Sequence, residues 1–219
     1  MQQFWVPASL LWLAGVAIRL TILAVPPVIT FIQADLSLSG TQIGILSGLP
    51  TLLFGIAALM GALLIARLGA VATLASGLLI AGIGSALRGA VLDVSVLYAA
   101  TVLMSAGIAV VQPALPQLVQ RWFPKRESFA TAIYTNGLLV GETVPVMVTI
   151  PVLLPLIAGS WRWSFVIWGI PLVVIALVTQ VFAPRSEPDG RAEPAPADWW
   201  PDWSNKLIWQ LGMLFASIN

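Results

Sequence analysis

"GVAIRLTIL", residues 15–23, sets a charged side chain in an otherwise apolar run, since Arg19 is the only charged residue before Asp35. A guanidinium stays protonated at any ordinary pH, so an arginine in such a run demands a reason. Composition supplies the setting. Of 219 residues 59% are hydrophobic and 9% charged, against roughly 25% charged in an ordinary soluble domain. The chain reads as a membrane protein.

The same composition excludes several functions. Ten Lys and Arg against nine Asp and Glu leave a formal charge of +1, so no basic face points to a nucleic-acid partner. There is no cysteine and no histidine. That removes disulfide frameworks, thiolate zinc sites and the commonest general base, and with them Ser-His-Asp, Cys-His and HExxH catalysis. Nothing calls for a cofactor or a metal. The N-terminus lacks the positive n-region of a secretory signal, and its apolar stretch runs to about Ile32, the length of a retained spanning helix.

Apolar segments of spanning length fall at 8–32, 42–66, 71–90, 95–120, 129–157 and 161–183. They predict a six-helix transmembrane domain over 1–183. Residues 184–206, "PRSEPDGRAEPAPADWWPDWSNK", are rich in Pro, acid and Trp and read as a cytoplasmic linker. Residues 207–219 then read as the truncated start of a seventh helix, so the second half of a larger protein is expected to be missing. With the N-terminus cytoplasmic, the inner loops carry Arg67, Arg121, Lys125, Arg126, Arg185, Arg191 and Lys206, and the outer loops only Arg88 and Arg162. That asymmetry fixes the expected orientation.

At an offset of 89 residues Pro27 meets Pro116, Ser39 meets Ser128 and Gly48 meets Gly137. Helices 1–3 and 4–6 thus read as copies of one three-helix unit. An odd number of crossings makes the copies inverted, an all-α membrane architecture of two inverted repeats.

Two ionisable residues lie deep in this pattern, Arg19 in helix 1 and Glu142 in helix 5. Both fall roughly 16–20 Å from the cytoplasmic boundary at about 1.5 Å per residue, near the midplane. A charge there must face the bundle interior, a partner or a water-filled cavity. One reading makes them a structural pair pinning helix 1 to helix 5. The other makes them a site, with the arginine fork binding a small anion and Glu142 as its partner or a protonation site. Thr21, Gln112, Thr135 and Asn136 are candidate extensions of the polar track, and Pro26-Pro27, Pro113 and Pro116 mark kinks that free backbone carbonyls toward a cavity. Gly55, Gly61, Gly77, Gly82, Gly84 and Gly89 are expected to let helices 2 and 3 approach closely. Arg88 is expected to snorkel to the interface. Trp161, Trp163 and Trp168 read as an outer aromatic belt, with Trp122 on the inner one.

Several of these stretches resemble one family. The "RLGAV" turn, "QRWFPKRESFATAIYTNG" and "SWRWSFVIWGIP" resemble the major facilitator superfamily, and the likeness covers residues 8–183 and the opening of helix 7. "IRLTILAVPPVITFIQADLSLSGTQIGILSGLPTLLFG" and "ALRG" look most like its cyanate permease and nitroimidazole transporter branch. In the loop 2–3 signature Arg67 and Gly69 match, while Ala66 stands in place of the Asp and Ala70 in place of a basic residue. "NGLLVGETVP" departs from the antiporter pattern of helix 5. The resemblance implies the N-terminal half of an inner-membrane secondary transporter working by alternating access, not an enzyme. Its implied partners are the lipid bilayer, a small solute of anionic or polar kind such as cyanate, nitrate or a nitrogen compound, and a second half or partner chain. On this reading the chain alone does not transport. The alternative is a non-transporting membrane scaffold with Arg19 and Glu142 as an internal staple; an intramembrane enzyme is disfavoured for want of a paired acid or histidine at depth.

Overall fold

In the computed structural model, the described residues are 2–91, 93–184, 206 and 210, the side chains of 2, 3 and 55–59 excepted. The linker and the opening of helix 7 expected over 184–206 and 207–219 lie outside the described residues, save Pro184, Lys206 and Gln210. The described residues are mostly helical, with no strand among them.

The first apolar segment is divided. Helix α1 (Gln2–Leu20) stops at a non-helical stretch, Pro26–Val28 forms a 3-10 turn, and α2 (Ile29–Leu36) resumes. The cause is local: Pro26 and Pro27 have no N–H to donate and their rings crowd the preceding turn. Ser37 at φ 51° ends α2. Ser39 then caps α3 (Gly40–Leu68), its hydroxyl accepting from the Gln42 N–H while the Gln42 side chain accepts from the Ser39 N–H, a reciprocal box that starts the helix. One residue separates α3 from α4 (Ala70–Leu87): Gly69, at φ 80° and ψ 159°, a conformation essentially reserved for glycine. Asp93 caps α5 (Val94–Val111) by accepting from the Val96 N–H at 2.9 Å. Pro113 divides α5 from α6 (Ala114–Trp122). Then come α7 (Glu127–Val148), a π turn at Thr149–Leu153, the short α8 (Leu154–Leu156) and α9 (Trp161–Phe182).

By length and apolarity, four stretches among the described residues suffice to cross a membrane: Ala70–Leu87, Val94–Trp122, Glu127–Leu156 and Trp161–Phe182. Phe4–Leu20 and Gly40–Phe54 are shorter apolar helices. The protein is an integral membrane protein.

Neighbours follow a pattern. α1 packs on α7 as α3 packs on α5, and α4 packs on α9. In terms of the apolar segments, first meets fifth, second meets fourth, and third meets sixth, the exchange that two inverted three-helix units produce.

Three expectations are corrected. The glycines of the third apolar segment do not serve its contact with the second: a Cβ at Gly77 would meet Gly107 and Val111 of α5, one at Gly84 would meet Met104 of α5, and one at Gly82 would meet Gly169 and Val173 of α9. Small residues here let α4 wedge between α5 and α9. Trp161 and Trp168 do not form a belt, being 4% and 8% exposed. Each has a polar partner, Trp161 donating to the exposed Asp35 carboxylate at 3.1 Å and Trp168 to the buried Thr149 hydroxyl at 3.0 Å. Trp163 alone of the three is exposed. Arg88 does not snorkel; it is fully buried.

Candidate functional site

The meeting of α1 and α7 is built from glycine. "GLLVG" sets Gly137 and Gly141 one turn apart on α7, a small-xxx-small face that lets backbones touch. A Cβ on Gly137 would strike the Trp12 carbonyl oxygen, one on Gly141 the Val16 carbonyl oxygen, and one on Gly15 the Tyr134 carbonyl oxygen. Three glycines thus fix the register of the two helices. That register sets Arg19, one turn beyond Val16, against Glu142, which follows Gly141.

Arg19 Nε lies 3.3 Å from Glu142 Oε1. The contact is a charge pair without hydrogen-bond alignment, since Nε has no hydrogen-bond partner. The side chains are 33% and 38% exposed, so the pair is open on one side. An open pair of this kind contributes only about 0–1 kcal/mol to folding. The guanidinium is therefore held at a fixed place without being consumed by its partner.

Arg19 also lines a cavity of about 180 Å³ with Gln112, Tyr134, Ile18, Leu115, Pro116 and Leu138. Gln112 stands there because α5 ends beneath it at Pro113. A guanidinium fork, a carboxamide and a phenol against an apolar wall can hold one small planar or carboxylate-bearing solute. A larger groove of about 370 Å³ between α4 and α9 is lined by Gly, Ala, Val, Leu and Ile alone and offers no polar chemistry.

The other sequence-derived candidates go elsewhere. Thr21 is fully buried, turned from the Arg19 cavity, and its carbonyl accepts from Arg88 at 3.0 Å. Two residues along a helix turn the side chain by about 200°, which puts Arg19 and Thr21 on opposite faces. Asn136 accepts from the Trp12 indole N–H at 3.0 Å, a second tie between α7 and α1 below the ion pair. Arg67 is exposed in the last turn of α3, where its charge complements the helix C-terminus, and Gly69 makes the turn. Tyr134, Gly137 and Gly141 were not among the expected site residues. "GLLVG" carried the signal for the glycines, and the eight-residue spacing from Tyr134 to Glu142 carried it for the phenol, placing both within about 80° on one helix face.

Comparison with known proteins gives concordant relatives. The sequence profile described as Major Facilitator Superfamily matches residues 11–218. The chain is 31% identical over 177 residues to the uncharacterized transporter YycB of Bacillus subtilis (strain 168), covering 81% of this chain and 43% of that protein. It is 25% identical over 206 residues to the probable L-galactonate transporter of Escherichia coli (strain K12), covering 86% of this chain and 45% of that protein. The chain thus spans less than half the length of the curated relatives it matches.

Proposed function

The chain belongs to the major facilitator superfamily, a family of transporters rather than enzymes, and from that premise we propose that it forms one wall of a secondary-transport pathway. The pathway carries a small anionic or polar solute by alternating access, in the cyanate- or nitrate-like or small nitrogen-compound class. Arg19 binds the anionic group, Glu142 balances the guanidinium when the solute is away or takes a proton, and Gln112 orients the solute. The opposite wall comes from a second six-helix half or a partner chain. The membrane is the bacterial inner membrane, with the N-terminus cytoplasmic by its loop charges.

The open Arg19–Glu142 pair at the edge of a polar-lined cavity carries this reading. A sealed pair would close the guanidinium off from any solute. One relative is named for an anion, L-galactonate, which agrees in charge. The loose pair also suits a second reading, a scaffold in which the two charges only staple α1 to α7.

One measurement separates them. Binding of cyanate, nitrate and small carboxylates to the purified protein assembled with its second half or partner chain, and their uptake by cells expressing both, is compared with Arg19→Ala. Transport by this site predicts at least a tenfold loss of affinity, about 1.4 kcal/mol, in a variant that keeps its melting temperature. Unchanged affinity in a folded Arg19→Ala protein leaves only the staple.

A further inference from the structure

Arg88, the C-cap of α4, is the described arginine with the least surface. It is fully buried. One terminal nitrogen is 3.0 Å from the Thr21 carbonyl oxygen and 3.0 Å from the Met104 sulfur. Its guanidinium carbon stands 4.1 Å above the centre of the Phe165 ring. The remaining donors, Nε and the second terminal nitrogen, have no partner. No carboxylate pairs with it among the described residues: Asp35 holds Arg162, Glu142 holds Arg19, and Asp93 caps α5.

A permanently charged group sealed among apolar helices requires a counter-charge. Arg88 is also among the residues that line a cavity of about 110 Å³ between the break of the first segment and helices α3 and α5. We propose that this cavity is a second anion site, taking a small monovalent anion, a halide or a planar oxyanion of nitrate size, as the counterion of Arg88.

Size and lining set the class. With roughly 30 Å³ per water in the liquid, the space admits a few waters or one small anion. Its walls are mainly Ile22, Leu23, Val25, Leu46, Pro26 and Pro50, which give a polyhydroxylated solute nothing to bond. Thr101, also lining it, already donates its hydroxyl to the Leu97 carbonyl at 2.8 Å, leaving Ser47 and Arg88 as the polar side chains along it for the ligand. One cation matches one negative charge. The site shares no lining residue with the Arg19 cavity. Because Arg88 grips the Thr21 carbonyl inside the broken stretch, an anion there fastens the break of the first segment to α4 and α5.

The test uses the full chain in detergent, melted in chloride, bromide or nitrate against gluconate at matched ionic strength. The small anions should raise the melting temperature saturably, by about 5 °C or more at hundredfold excess over their Kd, and gluconate should not. Arg88→Met and Ser47→Leu, which fills the cavity while keeping the arginine, should each abolish the rise. Arg19→Gln should retain it, so this site and the Arg19 site stand or fall separately. A rise that survives in Ser47→Leu and Arg88→Met, or one that gluconate matches, overturns the proposal. Should Arg88→Met fail to fold, Ser47→Leu decides alone.

Discussion

Arg19 and Arg88 are both arginines in apolar surroundings, yet the protein treats them in opposite ways. Arg19 has an acid within 3.3 Å and a third of its side chain exposed; Arg88 has a carbonyl, a sulfur and an aromatic face, and no exposure. The first is held by charge at the mouth of a cavity. The second is held by packing. A charge whose partner is loose can trade that partner for a solute, whereas a charge enclosed by the fold becomes part of what the fold depends on. Substitutions at Arg88 should therefore register chiefly in stability, and those at Arg19 chiefly in binding.

The sharpest way to break the comparison is to move the helix that presents Arg19. Gly141→Leu forces a branched side chain into the Val16 backbone, and overpacking of this severity should cost about 3 kcal/mol. Calorimetric or fluorescence melting in detergent reads that loss, and the variant should also lose solute binding, since Arg19 and Glu142 part together. A variant with wild-type stability and binding would mean that the α1–α7 contact does not set the site.

Next in size is Arg88 itself. Arg88→Ala orphans the Thr21 carbonyl, removes the Phe165 contact and leaves a void, for a net loss of about 2–3 kcal/mol. Arg88→Met refills most of the volume and also removes the buried charge, so its loss in anion-free buffer should stay near 1 kcal/mol. The difference between the two variants, read from the same melting curves, measures how much of Arg88's role is shape. Equal losses would assign the role to charge.

Much of this was open to a reader of the sequence. The helices were legible because hydropathy over spanning lengths is a strong signal, and the break of the first segment because Pro26-Pro27 forbids a continuous helix. The meeting of Arg19 with Glu142 followed from shared depth. What failed was direction around the helix axis. Proximity along the chain groups Thr21 with Arg19, although helical phase turns it away. Its place at the end of a span points Arg88 to the interface, which accounts for depth but not for what stands beside it. Its burial depends on Gly84 and Gly89 bringing α4 against Met104 of α5 and Arg162 of α9, and hydropathy does not say which helix a glycine faces. The tryptophans mislead for the same reason, since Asp35 and Thr149, their partners, come from other helical segments.

The smallest effect is the most discriminating. Arg19→Met and Glu142→Leu, alone and combined, form a double-mutant cycle across the pair. Because both side chains are more than a third open or close to it, the coupling in stability should be only about 0–1 kcal/mol. The same cycle run on solute affinity should show a larger coupling, since with solute bound the acid competes for the same guanidinium donors. Removing Glu142 alone would then tighten binding of a permanently charged anion such as nitrate, while removing Arg19 abolishes it. A stability coupling well above 1 kcal/mol with no coupling in affinity would turn the pair into a staple, and Arg19 would join Arg88 as an arginine that serves the fold.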